Sequence, residues 1–268
     1  MRDDNTELWT SSEVLFLNGP VSLRSLQSVI WPRGLKHISF EGSRFNKSFA
    51  GVVWPTPLQK LSLGRHFNQT ITGVVWPAAL EKLKLGDSFN QPVAEVVWPA
   101  SLKKLKFGFR FNQPIMGDVW PARLQQLTFG DQFDQPIAGA LWPPRLQQLS
   151  FGDDFNQLIA GAWPTSLQIL RLGFDFNQSV AGGVLPASLQ ELSFGTHFNQ
   201  PLTEVVWPAS LQKLSFGFLF DQPIVGVAWP PRLQQLEFGV LFNRRIAGAA
   251  WSASLRQLSI GKRRVRLS

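Results

Sequence analysis

The chain has 268 residues, 44% of them hydrophobic and 16% charged, a balance that supplies a core and excludes a disordered chain. It has no cysteine, which excludes disulfides and thiolate chemistry and fits a reducing compartment. The net charge of +8 is concentrated at one end: Arg244, Arg245, Arg256, Lys262, Arg263, Arg264 and Arg266 meet no acid in the last 25 residues, and the first 243 hold 19 basic and 18 acidic residues.

The N-terminal stretch MRDDNTELWTSSE is polar and acidic, with no basic segment leading into an apolar run, which predicts no signal peptide. No apolar run approaches the roughly eighteen residues that a membrane helix needs. An intracellular, cytoplasmic location is expected on these grounds. Residues 1–30 keep one apolar strand, Val14–Leu17, but lack the Phe-Asn pair that recurs from Phe45 onward, and this predicts an N-terminal capping turn.

From residue 31 the chain repeats itself. Trp-Pro begins at Trp31, Trp54, Trp76, Trp98, Trp120, Trp142, Trp163, Trp207 and Trp229, Leu185-Pro186 fills the gap, and Trp251-Ser252 closes the series. The step is 22 residues, with one step of 23 and one of 21. Phe-Asn or Phe-Asp pairs from Phe45 to Phe242 keep the same beat, and no break in composition marks a linker, so one domain is expected. Within each unit a stretch such as LQKLSF (211–216) alternates apolar with polar, the period of a strand, and Gly217 ends it. Two prolines in most units leave too little uninterrupted chain for a helix. Each unit thus predicts one short strand and an extended return, stacked on the next into a parallel β-solenoid, mainly β with little or no α-helix. Eleven such strands, at ~4.8 Å each, give a stack of roughly 50 Å.

The stacking names the core. Leu58, Leu80, Leu102, Leu124, Leu146, Leu167, Leu189, Leu211, Leu233 and Leu255 are expected to line it, with the second leucine of each unit (Leu61, Leu83) and the next Leu or Phe (Leu63, Phe107). A phenylalanine spine (Phe67, Phe89, Phe111, Phe133, Phe155, Phe176, Phe198, Phe220) is expected at the far turn, and the Trp row on the return side, all as space-filling aromatics. The row Asn68, Asn90, Asn112, Asn156, Asn177, Asn199 is expected to satisfy backbone groups of the returns, donating and accepting at once; Asp134 and Asp221 replace it twice.

The pattern LxxLxFGxxFNQPIxGxxWPxxL resembles the FNIP repeat, a 22-residue relative of the leucine-rich repeat, over residues 31–261. The resemblance implies a leucine-rich-repeat-like solenoid or horseshoe and a binding role, and brings no catalytic residue. That family usually has Leu-Pro where this chain has Trp-Pro. Other departures are Glu41 inserted before Gly42, a residue lost at GAWP (161–164), Leu158 in place of proline, and Arg244-Arg245 in place of Gln-Pro. A β-propeller is the rival fold, but a blade of two units needs four antiparallel strands, and the signature shows no such alternation.

The residues of chemistry do not converge. The histidines are His37, His66 and His197; no P-loop, HExxH or GxSxG motif occurs, and the recurrent GxxF is turn punctuation. No enzyme and no cofactor are expected. Asp131, Asp153, Asp154 and Asp175 fall at equivalent or neighbouring turn positions and are expected either to form a solvated acidic edge or to ligate a hard cation.

Two surface features remain. Lys60, Lys82, Lys84, Lys104 and Lys106 occupy outward strand positions, with Lys103 and Arg110 close by. They form either a solubilising surface or a contact for an acidic partner segment; nucleic acid is disfavoured because the stripe is short and lacks interleaved aromatics. In the turn after the strand, most units carry polar pairs such as Asp153-Asp154 or Thr196-His197. Here Phe218-Leu219 and Val240-Leu241 are apolar, and Phe109 and Phe174 are isolated versions of the same change. A position that tolerates Asp-Asp is not core, so these four are expected to be exposed and stacked, a partner-binding patch unless the C-terminal unit covers it. The basic tail 262–268 is expected as a cap or a frayed end. The sequence therefore reads as a non-enzymatic protein–protein interaction scaffold, with a structural repeat protein lacking a saturable partner as the alternative.

Overall fold

The computed structural model describes residues 7–10, 13–18, 26, 29–117 and 120–265. The remainder of the capping segment expected over 1–30, and residues 266–268 of the basic tail, lie outside the described residues. The chain divides into two units, Met1–Phe133 and Asp134–Ser268. Among the described residues there is no α-helix, and so none long and apolar enough to cross a membrane.

In the first unit β1 (Glu7–Thr10) pairs antiparallel with β2 (Val14–Asn18). From β2 the order is parallel and sequential through β3 (His37–Ser39), β4 (Lys60–Ser62), β5 (Lys82–Lys84), β6 (Lys104–Lys106) and β7 (Gln126–Thr128). The second unit repeats the design. It runs through β8 (Gln148–Ser150), β9 (Ile169–Arg171), β10 (Glu191–Ser193), β11 (Lys213–Ser215), β12 (Gln235–Phe238) and β13 (Gln257–Ile260), all parallel neighbours. It ends on β14 (Arg263–Val265), antiparallel to β13. The start of the basic tail thus folds back as an edge strand that carries charge outward.

Each strand is short because the unit turns on both sides of it. Before it, the Trp-Pro proline carbonyl accepts the N–H of the first leucine three residues on, as in Leu58 to Pro55 at 3.1 Å and Leu211 to Pro208 at 3.0 Å. After it comes a glycine against which the previous coil packs directly. A Cβ at Gly217 would strike the carbonyl oxygen of Gly195, and one at Gly108 that of Gly86, so no larger residue fits without opening the stack.

Inside each unit the expected rows are buried. Leu58, Leu80, Leu102, Leu124, Leu146, Leu167, Leu189, Leu211 and Leu233 are fully enclosed, as is the phenylalanine spine. Spine rings stack coil on coil, Phe67 on Phe89 at 6.2 Å and Phe198 on Phe220 at 6.1 Å. Leu255 departs from the row: it is half-buried, in the last complete coil. The Trp row is not space-filling throughout. Trp31 and Trp163 donate their indole N–H to the carbonyls of Val53 and Val184, one coil on, at 2.9 and 2.7 Å. At Trp54, Trp76, Trp120, Trp207 and Trp229 the indole nitrogen is buried with no partner.

The asparagine row works as an acceptor. Asn68 Oδ1 takes the N–H of Asn90 at 2.9 Å and Nε2 of Gln91 at 3.1 Å, and its own N–H goes to Asn46 Oδ1 at 2.9 Å. In the second unit Asn177 Oδ1 does the same for Asn199 and Gln200. Only an oxygen is required, which is why aspartate can stand in the row. Asp134 Oδ1 accepts from Asn156 and Gln157 at 2.9 Å each. Asp221 accepts the Asn243 N–H at 2.9 Å, and Arg244, which replaces the usual glutamine, binds its carboxylate at 2.9 Å and its carbonyl at 2.7 Å.

Candidate functional site

Along the strand face of the first unit, alternate residues leave the core, so register partners on neighbouring strands form columns. Lys60, Lys82 and Lys104 are register partners across β4, β5 and β6, and Lys84 and Lys106 form a second column beside them. They border a shallow depression of about 220 Å³ that Gln126 and Thr128 close on the next strand. Four of the five lysines are exposed. Lys84 is half-buried because its ammonium reaches back two coils to Glu41, at 2.7 Å, across a coil whose outward Ser62 is covered. Lys103, one position earlier, pairs with Glu81 at 2.6 Å. Beside Lys60 stands His37. Burial first, then the Lys60 charge, hold its imidazole below the usual range, with Glu41 opposing.

On the turn edge of the second unit Phe218, Val240 and Leu241 are exposed, by 46, 59 and 49%, while Leu219 is half-buried. The two pairs are bridged by the Leu241 N–H, which donates to the Phe218 carbonyl at 3.2 Å. Gly261, after β13, packs beside Val240 and leaves that side chain open. Upstream on this edge Phe174 is exposed, and its ring meets the edge of His197 at 4.7 Å. His197 Nδ1 lies 2.8 Å from Asp175 Oδ1. Asp154 has its carboxyl pushed up, first by partial desolvation and then by the charges of Asp175, Asp153 and Asp134. In the first unit Phe109 is exposed. Among the described residues no group of three or more His, Cys, Asp or Glu side chains is placed to hold a metal ion.

Three features lie outside the expectations drawn from the sequence. The Glu41–Lys84 pair joins residues 43 positions apart through an insertion, which no periodicity announces. The Asp175–His197 pair was open to reading, since the two occupy the same turn position in successive units. Ahead of Trp31, Trp54, Trp76 and Trp98 the preceding residue also faces outward, giving the first unit an apolar stripe of Ile30, Val53, Val75 and Val97, the last three 75–80% exposed. Its signal was the double valine of the repeat.

Comparison with known proteins bears on this architecture. The FNIP Repeat family model matches residues 67–110, 111–141 and 176–218. Among solved structures, a protein described as CroV588, a novel circular leucine-rich-repeat protein, is similar over 92% of this chain at 34% identity and a TM-score of 0.70; the chain spans 43% of that protein. Leucine-rich-repeat proteins from Bacteroides ovatus and Eubacterium ventriosum match at 12 and 10% identity over 96 and 94% of this chain and 89 and 90% of theirs, with TM-scores of 0.27 and 0.23. No curated protein matches. The chain carries FNIP repeats, and they fold as the coils of a leucine-rich-repeat-like parallel β-solenoid.

Proposed function

We propose that this chain is a non-enzymatic protein–protein interaction scaffold that uses the strand face and the adjacent turns of its coils. The observation that carries this reading is the division of labour within the repeat. The constant positions are consumed by the core and the ladders, and the variable ones face solvent with apolar side chains, Phe218, Val240 and Leu241, where other coils place polar pairs. Exposed apolar side chains grouped on neighbouring coils mark contact surfaces more often than chance substitutions. The second contact surface is the field of Lys60, Lys82, Lys84, Lys104 and Lys106. No cofactor enters the reading.

Affinity capture from native lysate tests it, comparing the wild type with F218S/V240S/L241S and with K82E/K84E/K104E/K106E. Each variant is expected to lose a defined set of captured proteins while its Tm stays close to that of the wild type. A capture profile identical for all three chains would instead make this a structural repeat protein without a saturable partner.

A further inference from the structure

We infer that the lysine face of the first unit seats an acidic α-helix of a partner protein, lying across the strands with its carboxylates on the column Lys60, Lys82, Lys104. The inference rests on the scaffold reading above and names the partner chemistry of that face.

The charge on this face is unbalanced by design. Like charges directly opposite on neighbouring strands repel, yet three ammonium groups stand in register on three consecutive strands. The nearby carboxylates are used elsewhere, Glu41 on Lys84 and Glu81 on Lys103. Among the described residues no carboxylate lies within ion-pair distance of Lys60, Lys82, Lys104 or Lys106. The field is also bounded: His37 is its neighbour on one side, held toward its neutral form, and Gln126 and Thr128 on the other.

The backbone argues against an extended occupant. Strands β4, β5 and β6 are each paired on both sides, so no free row of amides and carbonyls remains to receive an added strand. An extended segment on the face would gain no backbone hydrogen bonds from it and would have to rely on water, whereas a helix satisfies its own. Spacing agrees. The ammonium column advances by ~4.8 Å per strand, to ~9.6 Å at the third lysine. Helix positions i, i+3 and i+7 advance by about 4.5 and 10.5 Å at 1.5 Å per residue. Same-face residues of an extended chain advance by about 6.7 and 13.4 Å, and the third carboxylate overshoots by roughly 4 Å. Lys106, two residues along β6 from Lys104, lies about 6.7 Å to the side, within the width of one helix.

The test uses the full chain and three labelled probes in fluorescence anisotropy: two alanine-rich peptides of roughly 18 residues with the same composition, one with glutamates in the i, i+3, i+7 phase and one with glutamates at alternate positions, and an oligo-dT of similar charge. The helical-phase peptide is expected to bind at least about fivefold tighter than the alternating one, weakening with salt, and to gain helical circular dichroism on binding. K82Q/K104Q is expected to lower that affinity about tenfold, and K213Q, on β11 of the second unit, to leave it unchanged. Equal binding of the two peptides, tighter binding of oligo-dT than of either, or no binding overturns the inference. If it fails while K82E/K84E/K104E/K106E still loses captured proteins, the helix falls and the scaffold reading stands. If capture is unchanged in both that variant and F218S/V240S/L241S, both fall.

Discussion

Replacing Asn68 separates the two roles an asparagine ladder could play. Asn68 Oδ1 accepts a backbone N–H from Asn90 and a side-chain N–H from Gln91. Asn68→Ala removes the shared acceptor oxygen and leaves a half-buried amide with nothing to bond, which costs about 1–3 kcal/mol, and the lost Gln91 bond adds about 1 kcal/mol. Partial access of water to Asn90 offsets some of this, so the working figure is about 2 kcal/mol. For a domain of this size a loss of 1 kcal/mol lowers Tm by about 2–4 °C, so Asn68→Ala is expected to melt about 4–8 °C below the wild type. Asn68→Asp keeps an acceptor oxygen at that place, as Asp134 and Asp221 do in the same row, and is expected to stay within about 1 kcal/mol of the wild type. Urea and thermal denaturation of the three chains give both numbers. If Asp costs as much as Ala, the amide of the asparagine donates a bond the ladder needs; if Ala costs nothing, the ladder is not what holds the coils at this edge.

Other consequences are open to measurement. Phe220→Ala, from a fully enclosed spine position, is expected to lose about 3–5 kcal/mol, whereas Phe218→Ala, two residues away and 46% exposed, is expected to move stability by about 0.5 kcal/mol or less; equal urea midpoints would contradict the inside–outside assignment. Gly217→Ala drives a methyl into the Gly195 carbonyl and the Thr196 Cα, and a loss of about 1–3 kcal/mol or more is expected; an unchanged midpoint would mean that the coils are free to separate there. His37 has a lowered pKa in the fold, so the unfolded chain binds the proton first as pH falls. Its contribution to stability is therefore present above the ordinary histidine pKa and declines as pH drops from about 6.5 toward the lower folded value; His37→Gln is expected to flatten that part of the stability profile.

The rows that repeat were legible because a period of 22 places like residues on like sites. Leu58, Leu61 and Phe67 could be assigned to the interior, and Lys82 and Lys104 to one column, from the repeat alone. What the repeat did not disclose depends on reach or on ends. Lys84 looks like its neighbours in sequence, yet it is neutralised by Glu41 through a side chain long enough to cross a coil. Leu219 sits at a turn position occupied elsewhere by polar residues and is still half-covered. Leu255 matches its row yet is only half-buried, while Leu258 of the same coil, paired with Val265 on β14, is enclosed. The asparagine could be placed, but not the direction of its bonds; the two aspartates in its row carry that information, because aspartate can only accept.

The ladder also bears on how such a chain changes length. Its bonds join each coil to the one before through equivalent positions, Asn90 to Asn68 and Asn68 to Asn46, with strand partners Lys60, Lys82 and Lys104 in the same relation. Removing or copying one whole unit in frame therefore presents each neighbour with the same donors, acceptors and rings that it had before. The number of coils is then an inheritable variable almost independent of foldability. Recombination between units can lengthen or shorten the surface in steps of ~4.8 Å, while substitutions at the outward letters decide what each added step presents.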